Sequence, residues 1–186
     1  MIYYIKNMVC NRCIMVVQDV FNNLGYPPSR INLGEVETSN SLSQVELEKL
    51  NASMVSLGFE LIDDTKGRII EKIKTAIIKM VHHTQEDLMV NYSNYIASQL
   101  NRDYSYLSSL FTEIEGTTIE KYIIHQKIER VKELLVYDEL TLTEIANQMG
   151  YSNVGYLSNQ FKKVTGITPS HFKQIKENKR KPLDEV

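Results

Sequence analysis

Apolar positions along this chain recur with two periods, and the change from one to the other divides it. At the start, Ile2-Tyr3-Tyr4-Ile5 reads as a strand. Cys13, Val17, Val20 and Leu24 then follow at 4-3-4 spacing, which predicts a helix closed by Gly25. Tyr26-Pro27-Pro28-Ser29 is a turn. Ile31 and Leu33 alternate as in a strand, with Gly34 as a bulge that returns Val36 to the inner face. Ser43 and Glu46 form a capping box, opening a helix with Leu47, Leu50, Met54 and Leu57 on one side. Gly58 closes it, and Phe59-Glu60-Leu61-Ile62 is a last strand. The predicted order is strand, helix, strand, helix, strand. From Thr65 onward the period is helical. Ile69, Ile73, Ala76 and Met80 mark a first helix that continues into the following domain, either a stiff connector or also a dimer interface through Ile70, Ile77 and Val81, with packing of those three within the domain as the plainer alternative. His82-His83 follows at a polar turn and reads as solvated.

The rest of the pattern repeats itself. Tyr106-Leu107-Ser108, Phe111, Ile114, Gly116 and Thr118 return fifty residues later as Tyr156-Leu157-Ser158, Phe161, Val164, Gly166 and Thr168. Upstream, Ile96-Ala97 with Gln99-Leu100 returns as Ile145-Ala146 with Gln148-Met149, at an offset of 49. One residue is therefore inserted in the turn between the two fragments. Repetition of this kind shows one structural unit used twice, here a short helix, a tight turn and a second helix. Thr141-Leu142-Thr143-Glu144 is a capping box, Gly150 supplies a turn, and Asp103 and Ser152 are the expected caps of the two second helices. Between the copies, Ile124, Ile128, Val131 and Leu135 predict one amphipathic helix with Lys121, Lys127, Arg130 and Lys132 on its outer face. Those cations suit phosphate or simply water.

In each second helix one side is apolar and the other is small and polar. Tyr104, Leu107, Phe111 and Ile114 face inward, leaving Ser105, Ser108, Ser109 and Thr112 outside. Val154, Leu157, Phe161 and Val164 leave Gly155, Ser158, Asn159 and Lys162 outside, with Lys163 beside them. A solvated helix face more often carries Lys and Glu. A helix in the DNA major groove needs short side chains toward base edges and phosphate contacts at its flanks. A spacer of about 20 residues spans about 30 Å, close to one turn of DNA at about 34 Å.

From about residue 68 to 178 the chain resembles the DNA-binding domain of the AraC/XylS family of bacterial transcription regulators. The resemblance runs through nearly the whole of Gly150–Lys173, G-Y-S-N-V-G-Y-L-S-N-Q-F-K-K-V-T-G-I-T-P-S-H-F-K. It implies seven helices, two helix-turn-helix units and a long linking helix. It also implies double-stranded DNA and the transcription machinery as partners, with base reading by the outward residues named above. Gly155 stands where that family more often has Ala or Ser, so a contact from that position is absent here.

The first third resembles the heavy-metal-associated domain of copper chaperones and metal-pumping ATPases, through Met8-x-Cys10-x-x-Cys13 and Leu57-Gly58-Phe59. Asn7 stands where that family has Gly, and only one strand fits between the two helices where its ferredoxin-like sheet has two. Paired thiolates at this spacing suit a soft ion such as Cu(I) in low coordination, or can close to a disulfide. A helix N-terminus and Arg12 both favour the thiolate. The alternatives are contact with a protein or small molecule elsewhere on this domain, or no ligand at all, with Cys13 as a small core residue and Cys10 incidental. Two cysteines do not complete a tetrahedral zinc site.

Composition adds a few exclusions. Hydrophobic residues make up 42% and charged ones 24% of the 186, as in an ordinary globular protein. No apolar run reaches the ~18 residues of a membrane helix, and the N-terminus lacks the pattern of a secretion signal. The expected location is cytoplasmic, with no membrane partner. Residues 1–64 hold four basic and eight acidic side chains, a net of −4, and residues 65–186 hold 17 and 15, a net of +2. The asymmetry follows the domain division, but +2 is small for a DNA binder. No Ser/His/Asp set, phosphate loop or metal-ligand cluster points to an enzyme.

The expected architecture is a small α+β ferredoxin-like N-terminal domain followed by an all-α domain with two helix-turn-helix units joined by a long linking helix. Residues 1–64 form a regulatory or sensor domain, 65–178 the DNA-binding domain, and 179–186 a basic and polar tail beginning Lys179-Arg180-Lys181. The expected function is a sequence-specific transcription regulator, with a homodimer as one arrangement. The alternative is a copper carrier with a helical docking domain, which would have no use for two equivalent polar faces.

Overall fold

The computed structural model describes residues 1–62, 65–83 and 91–175. Its contacts divide the chain into two compact units, Met1–Thr75 and Ala76–Val186. The expected basic tail lies outside the described residues.

The first unit runs β1 (Ile2–Lys6), α1 (Asn11–Asn23), β2 (Pro28–Asn32), β3 (Glu35–Thr38), α2 (Gln44–Val55) and β4 (Glu60–Ile62). The strands form one antiparallel sheet in the order β2-β3-β1-β4. Tyr3 and Ile5 alternate toward a core with Val17, Val20 and Phe21 of α1 and Leu50 and Met54 of α2. Phe21 is fully buried though the 4-3-4 spacing passed it over, and Leu57, expected inside, is half-exposed beyond the end of α2. Between the helices lie two strands where the pattern predicted one. Leu33-Gly34 is the tip of a hairpin, not a bulge: Asn32 pairs with Glu35, and Gly34 takes the left-handed φ of 78° that the turn requires. The single expected strand through Ile31, Leu33 and Val36 thus joined the end of β2 to β3, and the start of β2 was read as turn because it opens with Pro28 and shows water its polar side chains.

On the other face of the sheet Tyr4 lies beneath α3 (Thr65–Ile78), with Arg68 Cζ and Lys72 Nζ each 5.0 Å from its ring centroid. Lys72 also pairs with Glu35 at 2.9 Å. Ile70, Ile77 and Val81 are all buried within the chain, as the plainer of the two expectations for them had it. Helix α3 passes through the division between the units and ends in a π-helical turn, Lys79–His83.

The second unit continues with α4 (Tyr92–Leu100), α5 (Tyr104–Glu115), α6 (Ile119–Tyr137), α7 (Leu142–Gln148), α8 (Val154–Thr165) and α9 (Pro169–Ile175). Helix α6 is its axis, touching α5, α7, α8, α9 and the π-helical turn. Ile128, Val131, Leu134 and Leu135 meet Ile145, Ala146, Met149, Leu157, Phe161 and Phe172 in one core. The expected one-sided amphipathic helix is therefore wrong in detail. Lys127 and Lys132 are buried, Lys127 Nζ donating to the Met149 carbonyl at 2.8 Å and Lys132 pairing with Glu129 at 2.5 Å. Arg130 binds Glu133 at 2.7 Å, and Lys121 alone of the four expected cations is exposed. A long lysine stem can cross apolar surface to reach a carbonyl, so charge type misreported the face. Among the described residues no helix is long and apolar enough to cross a membrane.

Candidate nucleic-acid interface

The sequence repeat survives as a structural repeat. Leu107 and Phe111 in α5, and Leu157 and Phe161 in α8, are completely buried. Ile96 and Ile145, in the preceding helices, are buried as completely. Both second helices end on a left-handed glycine, Gly116 at φ 65° and Gly166 at φ 82°. Each begins on a side-chain cap, where an oxygen takes up amides that the first turn leaves unpaired. Asp103 accepts from Ser105 and Tyr106, and Asn153 from Tyr156 at 2.8 Å. The second cap is Asn153, not the expected Ser152. Asn153 is also the residue fifty positions after Asp103, so the repeat itself identified it. The connections are Asn101–Asp103 and Met149–Asn153: the second holds the one inserted residue that the offset required, and Met149 leaves its helix where the equivalent Leu100 stays in. The capping box of α7 forms as expected, with Glu144 Oε2 accepting from the Thr141 amide at 2.7 Å.

All the outward residues expected to face DNA lie at the surface. Ser105, Ser109, Thr112, Gly155, Asn159, Lys162 and Lys163 are exposed, and Ser108 and Ser158 half-exposed. Their polar groups are not equally available. Ser105 Oγ donates to Asp103 at 2.5 Å, and Thr112 Oγ1 donates back to the Ser108 carbonyl at 2.9 Å. Ser108 and Ser109, like Ser158 and Asn159, keep side chains with no partner among the described residues. The two copies thus present the same pair of positions, about one and a half helical turns beyond the cap, with donors and acceptors unspent. Gly155 contributes no side chain, and a Cβ there would stand 3.2 Å from Asn153 Oδ1, pressing on the cap. The far ends of the helices differ: α5 finishes Thr112-Glu113-Ile114-Glu115 and α8 finishes Lys162-Lys163-Val164-Thr165. Ile114, expected inside, is 43% exposed, and Leu110 takes the buried place instead.

A helix-turn-helix family model matches residues 96–175. Over 134 residues the chain is 31% identical to the Msm operon regulatory protein of Streptococcus mutans, covering 72% of this chain and 48% of that protein. Over 167 residues it is 26% identical to the regulatory protein PocR of Salmonella typhimurium, covering 81% and 54%. The C-terminal domain of AraT, a response regulator of Geobacillus stearothermophilus, superposes with a TM-score of 0.50 at 28% identity, covering 60% of this chain and 88% of that one. Residues 96–175 are a helix-turn-helix DNA-binding domain of the AraC type. The chain spans about half the length of the two regulatory proteins.

Beneath this AraC-type domain lies a polar chain that the sequence did not reveal. His82, expected in solvent, is largely buried against α6, and burial pushes its pKa down to about 4. Gln126, fully buried, donates from Nε2 to the Tyr122 hydroxyl at 3.1 Å, leaving Oε1 to accept from His82 Nε2 at 3.0 Å. A buried cation site surrounds Lys127, whose Nζ stands 5.0 Å and 5.2 Å from the ring centroids of Tyr92 and Tyr151. Burial lowers its pKa to about 8.

At the β1–α1 junction Cys10 is the N-cap residue of α1, and its Sγ lies 3.6 Å from that of Cys13. Burial raises the Cys13 thiol pKa and outweighs the amides of Val9 and Cys10, which favour the thiolate. That is the opposite balance from the expected activation by the helix end and Arg12. Asn7 adopts φ 71° and donates from Nδ2 to the Gly58 carbonyl at 2.9 Å. Its left-handed backbone explains why a position that suits Gly accepts Asn. Among the described residues no three His, Cys, Asp or Glu side chains gather as a metal site.

Proposed function

We propose that this chain is a sequence-specific DNA-binding transcription regulator whose two helix-turn-helix units enter successive major grooves on one side of the duplex. The observation that carries this is the matched pair of surface positions, half-exposed Ser108 with exposed Ser109 and half-exposed Ser158 with exposed Asn159, on helices with equivalent caps and cores. Side chains of this length with free hydroxyl and amide groups can meet base edges. Lys162 and Lys163, exposed at the end of α8, add phosphate contacts. Helix α6, 19 residues and about 28 Å long, sets the distance between the units. The relative named as an operon regulatory protein supports the same reading. Selection of bound duplexes from a random pool tests it: two conserved half-sites about one helical turn apart are expected, and an unenriched pool would overturn it.

The N-terminal unit is the regulatory part of this proposal. Its β-α-β-β-α-β order with antiparallel β2-β3-β1-β4 pairing supports the ferredoxin-like reading. Cys10 and Cys13, with sulfurs 3.6 Å apart at the first loop, form a donor pair for a soft ion such as Cu(I) in low coordination. Because burial favours the Cys13 thiol, binding must displace a proton. Uptake of Cu(I) should therefore tighten as pH rises, and Cys10→Ser and Cys13→Ser should each abolish it. Uptake that persists in either variant would remove the thiol pair from the proposal.

A further inference from the structure

Two large side chains on the second helices are left unused by the core and by the outward pairs. Tyr106 is 46% exposed and Tyr156 is 65% exposed, fifty residues apart and each the third residue of its helix. Duplication kept an aromatic side chain at a position where neither copy buries it. At ~100° per residue each tyrosine lies ~60° around the helix from Ser109 or Asn159, on the flank of the outward face rather than its centre. A cation stands beside the first ring, and on the helix of the second a cation lies about two turns farther along. Arg102 Cζ stands 5.9 Å from the Tyr106 ring centroid, and Lys163 follows Tyr156 by seven residues on the same stripe of α8.

Resting on the DNA-binding reading above, we infer that Tyr106 and Tyr156 are a matched pair of phosphate contacts, one hydroxyl donating to the strand that borders each groove. Tyrosine hydroxyls are among the usual phosphate donors, and flanking contacts fix a helix in its groove without reading sequence. Both residues stand in the first turn of their helices, the end whose dipole favours negative charge. The exposed ring is then the arm that carries a donor farther from the helix than the neighbouring serines reach.

The test uses the full chain, a duplex enriched from the random pool and a scrambled duplex of equal length. Tyr106→Phe and Tyr156→Phe retain each exposed ring, so melting should not change. Each should weaken binding about three- to tenfold on both duplexes, leaving their affinity ratio unaltered. The slope of log affinity against log salt should also stay constant, because a neutral donor releases no counterion, whereas Lys163→Met should flatten it. Unchanged affinity in both variants would overturn the inference, as would a changed affinity ratio, which would make the tyrosines base readers. A wild-type chain that enriches no duplex defeats the DNA-binding reading itself. Enrichment with indifference to both hydroxyls defeats only this inference.

Discussion

Ser109 and Asn159 occupy equivalent places six residues beyond their caps, exposed and without partners among the described residues. Replacing either by Ala removes a donor or acceptor without disturbing a buried group. Ser109→Ala and Asn159→Ala should each cost about 1–3 kcal/mol at the base read, with melting unchanged. A specificity ratio unaltered in both variants would show that the outward faces have been misassigned. His82 makes a different kind of prediction. Its folded pKa of about 4 lies below the ordinary 6.5, so the unfolded chain binds the proton more readily. The stabilisation is complete above pH 6.5 and is lost as pH falls from there toward 4. Between pH 7 and pH 5 the loss should be about 2 kcal/mol. Urea titrations of wild type and His82→Gln at both pH values check this, since the variant should lack that share of the acid sensitivity. These residues also show where sequence reasoning works. Outward faces follow from period alone, whereas adjacent histidines at a turn give no sign that one of them will meet a buried glutamine.

Among the elements, α6 departs furthest from its pattern. Ile128, Val131 and Leu135 predicted one apolar stripe, but helices on several sides bury most of the circumference. Lys127, Lys132 and Glu129 are covered because their stems pack and their charged ends find a carbonyl or each other. A hydropathy pattern counts those residues as polar and so cannot see the burial. The consequence is testable. Two residues inserted near Glu129 add about 3 Å of rise and turn the following segment by about 200°. In an isolated spacer this would only rotate one unit against the other. Here it shifts Val131, Leu134 and Leu135 out of the core shared with α7 and α8, so the cooperative melt of the second unit should be lost. A wild-type melt for this variant would show that α6 is a free spacer after all. The hairpin β2–β3 gives a related lesson: an edge strand with little to bury leaves little periodicity, and the sheet order emerges only from pairing.

At the scale of the whole molecule, duplication made the DNA-binding half legible. Equivalent caps, equivalent buried Leu and Phe positions and equivalent glycine stops each appear twice, so an accident at one copy would stand out against the other. The N-terminal unit has no such internal check, and the regulatory role proposed for it rests on topology and one pair of thiols. Charge points the same way, with −4 over residues 1–64 and +2 over residues 65–186. The second half is itself uneven, since α5 ends with Glu113 and Glu115 where α8 ends with Lys163 and Thr165. Engagement of both units on one face of the duplex is the central claim, and altering the DNA tests it without touching the packed α6. Five base pairs placed between the two half-sites of a selected duplex turn one site about half a helical turn away from the other. Two-unit engagement predicts that specific affinity falls to that of a single half-site. Affinity unchanged by the five base pairs would contradict it and leave one unit as the reader.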